Sequence, residues 1–293
     1  MDVGTGGMVL LSGITSRIFK EQSKSLGFRI FNAVKTMPII ISIAVIGILT
    51  RYISNHPEVV DEYGVHWNFF WTVWIINIFS SFIQRPKYAL IFGFLLISAY
   101  QIFLQNGGAK YILLAERVDL ISKNREGIFG SLGYFSIFLI GIGISSFIFE
   151  REKCQMSGFN INRRWKIIWK SAVVTGSFYI MCVLAELYIM PISRRMANFT
   201  YIMYMTYITI CYNTVCYIAD SMLKERQFNY VVHLICTNQM GFFLMCNLIV
   251  GVYNISFLTT FHPNVIAFPV LTIYFTFALM LTWGLKYLGV KIR

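Results

Sequence analysis

Apolar runs long enough to cross a lipid bilayer recur from one end of this 293-residue chain to the other, and nothing else in the sequence restricts its fold as much. A bilayer's hydrocarbon layer is about 30 Å thick, so crossing it takes roughly 20 predominantly apolar residues of α-helix. Such runs cover residues 37–53, 67–83, 88–105, 128–149, 169–190, 198–219, 235–255 and 265–286. The expected fold is therefore all-α: a polytopic transmembrane helical bundle of eight spans forming one membrane-embedded domain over residues 1–293. Residues 1–15 add a Gly-rich apolar stretch of about 22 Å at 1.5 Å per residue, expected to form a partial helix too short to span alone. With no basic flank at its start it is not a signal peptide.

Only 13% of residues are charged and the mean hydropathy is +0.63, against about 25% charged in soluble domains, which excludes a water-soluble fold. The 25 Lys and Arg outnumber 13 Asp and Glu, a balance that would suggest nucleic acid for a soluble protein. Here the charge follows topology. Alternate loops carry 18 Lys and Arg on one side (16–36, 84–87, 150–170, 220–234, 286–293) and 7 on the other (51–66, 106–127, 191–197). Cytoplasmic loops hold the excess, so the 18-rich side, carboxy terminus included, is expected in the cytosol and no nucleic-acid partner is expected. The six cysteines lie mostly inside apolar segments, with no CxxC pair or His cluster, so neither a metal nor a disulfide framework is expected.

The unusual polar strings gather on the sparsely charged side. In the first, Glu62 to Phe70, His66 and Asn68 enter the head of a helix between aromatics. This is either an interfacial aromatic belt with a satisfied histidine or a site in which His66 serves as base or orienting group. In the second, Glu116, Arg117, Asp119, Lys123, Arg125 and Glu126 crowd one membrane-proximal loop. They read as solvated ion pairs, or as planar forks for a phosphate from Arg117 and Arg125 held by Glu116 and Glu126. The third, Ser193-Arg194-Arg195-Met196-Ala197-Asn198, puts paired arginines where positive charge is scarce, which an anionic ligand explains. Asn198 and Asn254 open sequons, but each abuts a span and neither is expected to carry a glycan. Asn238, Asn247 and Asn254 lie along one apolar helix, where amides are expected to hydrogen-bond between helices. Asp2 is an intramembrane acid, placed by the charge count at the same end as the polar strings, and such an acid is a functional candidate by default.

Together Met1-Asp2-Val3-Gly4-Thr5-Gly6, Glu62 to Phe70, Asn124-Arg125-Glu126-Gly127-Ile128-Phe129 with Leu132-Gly133-Tyr134, Ser193 to Asn198, and Asn247 to Asn254 resemble, in family order, the GPI-inositol acyltransferases, also known as the GPI-anchored wall transfer or phosphatidylinositol-glycan biosynthesis class W proteins. The resemblance implies transfer of a fatty acyl group, typically palmitoyl, from acyl-CoA to the inositol of glucosaminyl-phosphatidylinositol in the endoplasmic reticulum membrane. Acyl-CoA would be a co-substrate, and no bound cofactor is implied. Met1 coincides with an internal methionine of the family motif, so upstream helices of the family are expected to be missing and the chain alone is expected to acylate little.

Such a reaction needs a base at an inositol hydroxyl, donors for the thioester oxygen and a clamp on the lipid phosphate. The motif match puts Asp2 forward for proton transfer, with His66 as rival, and Asn68 to polarise the carbonyl. Glu62, Arg117, Arg125, Glu126, Arg194, Arg195 and Asn238 are the expected substrate-binding residues. A polytopic transporter and a membrane-bound O-acyltransferase of another family are the competing readings. The first is disfavoured by the lack of paired Gly/Pro-interrupted spans, the second by ordered matches beyond His66-Trp67-Asn68.

Overall fold

A computed structural model describes residues 4–16, 18–21, 24–54, 60–149, 161–222, 230–256 and 264–289. Through them run helices α1 (Gly4–Ile14), α2 (Ile18–Glu21), α3 (Leu26–Ser54), α4 (Val60–Tyr63), α5 (Phe69–Ser80), α6 (Ala89–Phe103), α7 (Ala109–Leu114), α8 (Leu120–Lys123), α9 (Arg125–Phe149), α10 (Ile161–Tyr188), α11 (Phe199–Met222), α12 (Tyr230–Thr237), α13 (Gln239–Ser256) and α14 (Asn264–Tyr287), with no strand among the described residues. Among the described residues, six stretches are long and apolar enough to cross a membrane: 26–49, 86–114, 125–149, 163–188, 199–222 and 267–287. The protein is thus an all-α polytopic helical membrane protein.

Two of the eight expected runs are helical without being simple spans. The run at 67–83 is α5, whose 12 residues reach only about 18 Å. Ser80 and Ser81 turn their hydroxyls back onto the Asn77 carbonyl, and a 3₁₀ turn at Pro86–Tyr88 then leads into α6. The run at 235–255 is broken near Asn238, where α12 and α13 meet at 93°. The run at 88–105 is longer than expected. A wide π-helical turn at Leu104–Gly108, with Gly107 at φ 107°, joins α6 to α7 so that the stretch continues to Leu114.

Two compact units divide the chain: residues 1–45 with 58–222, and 46–57 with 223–293. In the first, α9 is the central helix and small residues set its neighbours. A Cβ at Gly13 would stand 2.3 Å from the Phe138 carbonyl oxygen, and one at Gly141 2.5 Å from that of Leu10. Only glycine permits so close an approach, the usual way apolar helices gain contact within lipid. Thr5 lies against Tyr134 and Ile14 accepts from the Ser145 hydroxyl, so α1 runs parallel to α9. Gly93 faces Ile140 and Gly143 faces Leu90, so α6 runs antiparallel. Gly133 meets Ala197 and Tyr201 meets Tyr134, which puts the start of α11 beside the first half of α9. The starts of α1, α9 and α11 therefore share one end of this unit with the loops at 106–127 and 191–197. The expected partial helix at residues 1–15 is a core element, with Gly6, Gly7, Val9, Leu10, Gly13 and Ile14 buried.

In the second unit α13 packs on α14, Phe242 edge-on to Phe275 at 6.1 Å, and Lys286 lies over the Tyr230 ring. The exposed Asn247 donates its amide to the Phe243 carbonyl of its own helix, in place of the interhelical bond expected of it. The Asn254 side chain lies outside the described residues.

Candidate functional site

The string at residues 62–70 docks onto residues 123–127 through backbone and glycine contacts. Gly64 takes φ 113°, where a Cβ would stand 2.7 Å from both the Asn124 Cα and the Lys123 carbonyl oxygen. Val65 N–H then donates to the Lys123 carbonyl at 3.0 Å and His66 N–H to Asn124 Oδ1 at 2.8 Å. Trp67 follows, lying so closely on Gly127 that a Cβ there would fall 2.2 Å from the indole, while its Nε1 donates to Thr72 Oγ1 at 3.1 Å. These contacts explain why Asn124 and Gly127 bracket Arg125 and Glu126: the one holds the incoming segment and the other leaves room for its indole.

His66 itself is exposed. Asn68 caps α5, its Oδ1 accepting from Phe70 and Trp71 N–H, and its Nδ2 donates to the Ala44 carbonyl at 2.8 Å. The cap gives an acceptor to two of the N–H donors that a helix start leaves unsatisfied.

Glu126 is the electrostatic centre. Its fully enclosed carboxylate accepts from Arg117 Nη1 and Nη2 at 3.0 and 2.5 Å and from Arg195 Nη2 at 2.9 Å, with Arg125 Nε at 3.8 Å. Arg117 and Arg195 side chains remain 23% and 27% exposed, so both face outward from the pair. Arg125 is only 2% exposed. It does not offer the expected outward fork, because Nε donates to the Ile112 carbonyl at 2.7 Å and Nη1 to that of Glu116 at 3.3 Å. Three guanidinium groups thus converge on this one carboxylate in a partly dry setting, where charge-assisted hydrogen bonds are strong.

Arg194 forms the second half of the site. It lies against Glu62 at 3.2 Å and donates to the Tyr63 hydroxyl at 3.3 Å. Burial opposes its charge, but the Tyr63 hydroxyl and Glu62 outweigh that and hold it above its ordinary pKa. Burial, with Tyr134 alongside, pushes the Tyr63 phenol well above its usual range, so this hydroxyl stays neutral. Tyr63 leads inward through Phe69 to Tyr134 and on to Tyr201, with ring centroids 6.0 to 6.4 Å apart. Thr5, at the start of α1, stands 3.5 Å from the Tyr134 hydroxyl.

The loop presenting Arg194 and Arg195 is shaped by the fully buried Asn198. Its Oδ1 accepts from Ser193 and Tyr201 N–H, each at 3.1 Å, and its Nδ2 donates to the Pro191 carbonyl. From α6, Tyr100 donates to the Met196 carbonyl at 2.7 Å and Gln101 Oε1 accepts from Phe199 N–H. The amide of this sequon is therefore engaged and enclosed.

Of the expected site residues, Glu62, His66, Asn68, Arg117, Arg125, Glu126, Arg194 and Arg195 are brought together at one end of the first unit. Asn238 belongs to the second unit, buried at the helix break with its Oδ1 against Gly241. Asp2 lies outside the described residues. Tyr63, Asn124, Tyr134, Asn198 and Tyr201 also shape the site; Tyr63, Asn124 and Asn198 stand inside the polar strings and Tyr134 inside a family motif, whereas nothing in the sequence singles out Tyr201.

This geometry defines a polytopic helical membrane protein with a cationic site, organised by one enclosed carboxylate, at the end of its bundle. The chain belongs to the GWT1 family, whose sequence profile it matches over residues 1–285. It is 33% identical over 249 residues to a phosphatidylinositol-glycan biosynthesis class W protein of Dictyostelium discoideum, covering 84% of this chain and 49% of that one. It is 28% identical over 319 aligned residues to GPI-anchored wall transfer protein 1 of Gibberella zeae, covering 94% and 62%, and 30% identical over 276 residues to an uncharacterized protein of Arabidopsis thaliana, covering 94% and 62%. The chain thus spans about half to two thirds of the length of these relatives.

Proposed function

We propose that this chain acts in GPI-anchor biosynthesis as an O-acyltransferase of the endoplasmic reticulum membrane, moving a fatty acyl group, typically palmitoyl, from acyl-CoA to the inositol of glucosaminyl-phosphatidylinositol. One observation carries the reading: the Arg117, Arg125 and Arg195 guanidinium groups gather on the enclosed Glu126 carboxylate, with Arg194 close by on Glu62. An anionic lipid phosphate is the partner such a gathering suits, since arginine forks match phosphate oxygens. The names of the Dictyostelium and Gibberella relatives support the same pathway.

In this scheme an inositol hydroxyl oxygen attacks the thioester carbonyl. A C–O bond forms, the C–S bond breaks, the hydroxyl proton passes to a base and coenzyme A leaves as a thiolate that is then protonated. Asp2 is the proposed base and His66 its rival, while Asn68 has one amide N–H left for the thioester oxygen. Arg195 and Arg194 hold the acceptor phosphate. The site faces the lumen and the carboxy terminus the cytosol, as the 18-to-7 charge bias requires.

The test uses the full-length gene product with acyl-CoA and glucosaminyl-phosphatidylinositol. Asp2→Asn is expected to cost about 10²-fold or more in kcat, and Arg195→Ala to raise KM more than it lowers kcat. Near-normal kcat in Asp2→Asn would transfer the base role to His66. A well-folded wild type that transfers no acyl group would overturn the reading in favour of a transporter.

A further inference from the structure

At the opposite end of the first unit, α5 stops early and leaves a cavity. Trp67 meets Gly127 and Phe79 meets Phe135, so α5 runs alongside α9 and its last turn is level with a residue only ten positions into that 25-residue helix. Beyond that turn lies a space of about 740 Å³, well within the size of small-molecule sites. Its lining is polarised. Gln84 and Arg85 stand at one end with Tyr88; Phe92 and Leu96 continue along α6, facing Phe135 and Leu139 of α9. From Tyr88 to Leu96 the groove runs about 12 Å, most of the roughly 15 Å depth of one leaflet. The polar end belongs to the 84–87 loop, on the side that carries 18 of the 25 basic residues.

Arg29 of α3 lies behind this wall. It is 5% exposed, donates Nη1 to the Ile83 carbonyl at 2.7 Å, and leaves Nε buried without a hydrogen-bond partner. No carboxylate pairs with it among the described residues. A buried, uncompensated guanidinium is costly, and an unsatisfied buried donor calls for an explanation. Arg85 is exposed at the rim and Lys87 stands over the Tyr88 ring, so two cations stand at the mouth of an apolar slot and a third, Arg29, is buried behind its Ile83 wall.

We propose that this groove binds one anionic glycerophospholipid of the cytosolic leaflet, an acyl chain between Phe92, Leu96, Phe135 and Leu139 and the phosphate at Arg85, with the buried charge of Arg29 behind the wall favouring the anion. The occupant is a phospholipid and not the acyl donor. A thioester sits next to its headgroup, so at this mouth it would lie at the far end of α9 from Glu126 and Arg194.

Native mass spectrometry of the full-length protein, titrated with dioleoyl-phosphatidylserine or dioleoyl-phosphatidylcholine, tests this. One phosphatidylserine is expected to be retained at least tenfold more tightly than phosphatidylcholine. Arg85→Gln, at an exposed position, should weaken it about fivefold, Arg29→Gln should do so while keeping a donor for the Ile83 carbonyl, and Leu96→Trp should block the slot. Equal retention of the two lipids, or retention unchanged in Arg85→Gln and Leu96→Trp, would overturn the proposal. So would displacement of phosphatidylserine by palmitoyl-CoA, which would give the groove to the donor.

Discussion

Replacing Glu126 by glutamine removes one negative charge and almost no volume, so its effect isolates the electrostatics of the site. The carboxylate accepts three hydrogen bonds from Arg117 and Arg195, has Arg125 within 3.8 Å and is wholly enclosed. A glutamine has one oxygen to offer where two were engaged, and its NH₂ faces guanidinium groups that only donate. Removing one partner of a buried pair typically costs about 3–5 kcal/mol, because the remaining charges stay buried without compensation. The surface exposure of Arg117 and Arg195 lets them swing away, which places Glu126→Gln at about 3 kcal/mol, the lower end of that range. Arg195→Met should cost far less, since it leaves the bidentate Arg117 on the carboxylate. Combining Arg117→Met and Arg195→Met with Glu126→Gln should recover part of the loss, a coupling of about 0.5–3 kcal/mol. Thermal unfolding of the four proteins in one detergent, followed by size-exclusion monodispersity, reads these differences. If Glu126→Gln unfolds no earlier than Arg195→Met, or the combined variant is no better than Glu126→Gln alone, the carboxylate is not what holds the arginines.

Gly127→Ala places a methyl 2.2 Å from the Trp67 indole; an overpacking cost of about 1–3 kcal/mol and a shift in tryptophan emission are expected, and unchanged emission would contradict the docking described. Asn198→Ala removes three hydrogen bonds from the 191–198 loop and should raise KM for the anionic lipid through misplaced Arg194 and Arg195, while endoglycosidase should leave the wild-type mobility unchanged because that amide is enclosed. Asp119 caps α8, and bonds from Ser122, first its hydroxyl and then its N–H, hold the carboxyl below its usual range. A depressed carboxylate contributes stability above its unfolded pKa of about 3.9 and loses it as pH falls further. Amide exchange around Ser122 should therefore accelerate on acidification in the wild type and become pH-insensitive, beyond the intrinsic rate change, in Asp119→Asn. Protease protection of tags in microsomes should place Glu62 and Lys166 on opposite sides, and finding them together would overturn the span assignment.

The sequence alone determined the all-α membrane class and the location of its apolar segments, because the bilayer demands a length and hydropathy that are readable residue by residue. It also located most of the site, since charges at the head of an apolar helix, such as Asn-Arg-Glu-Gly at the start of α9, have no place in a lipid-facing surface. What it could not give was the division of labour among those residues. Arg117 and Arg125 look alike in sequence, yet one faces outward from Glu126 and the other is buried on two carbonyls, a difference set by how the α7–α8 loop folds back over α9. Asn68 and Asn198 read as a chemical group and a sequon, and are both helix-start devices whose partners lie 24 and 7 residues away as well as locally. The glycines of α1 read as a helix missing its beginning; packing of Gly13 on Phe138 and Gly141, and of Gly6 and Gly7 on Met205 and Thr209, makes them part of the core. The short α5 and the cavity beyond it were invisible for the same reason: where a helix stops, and what fills the space after it, depends on neighbours that are far away in the chain.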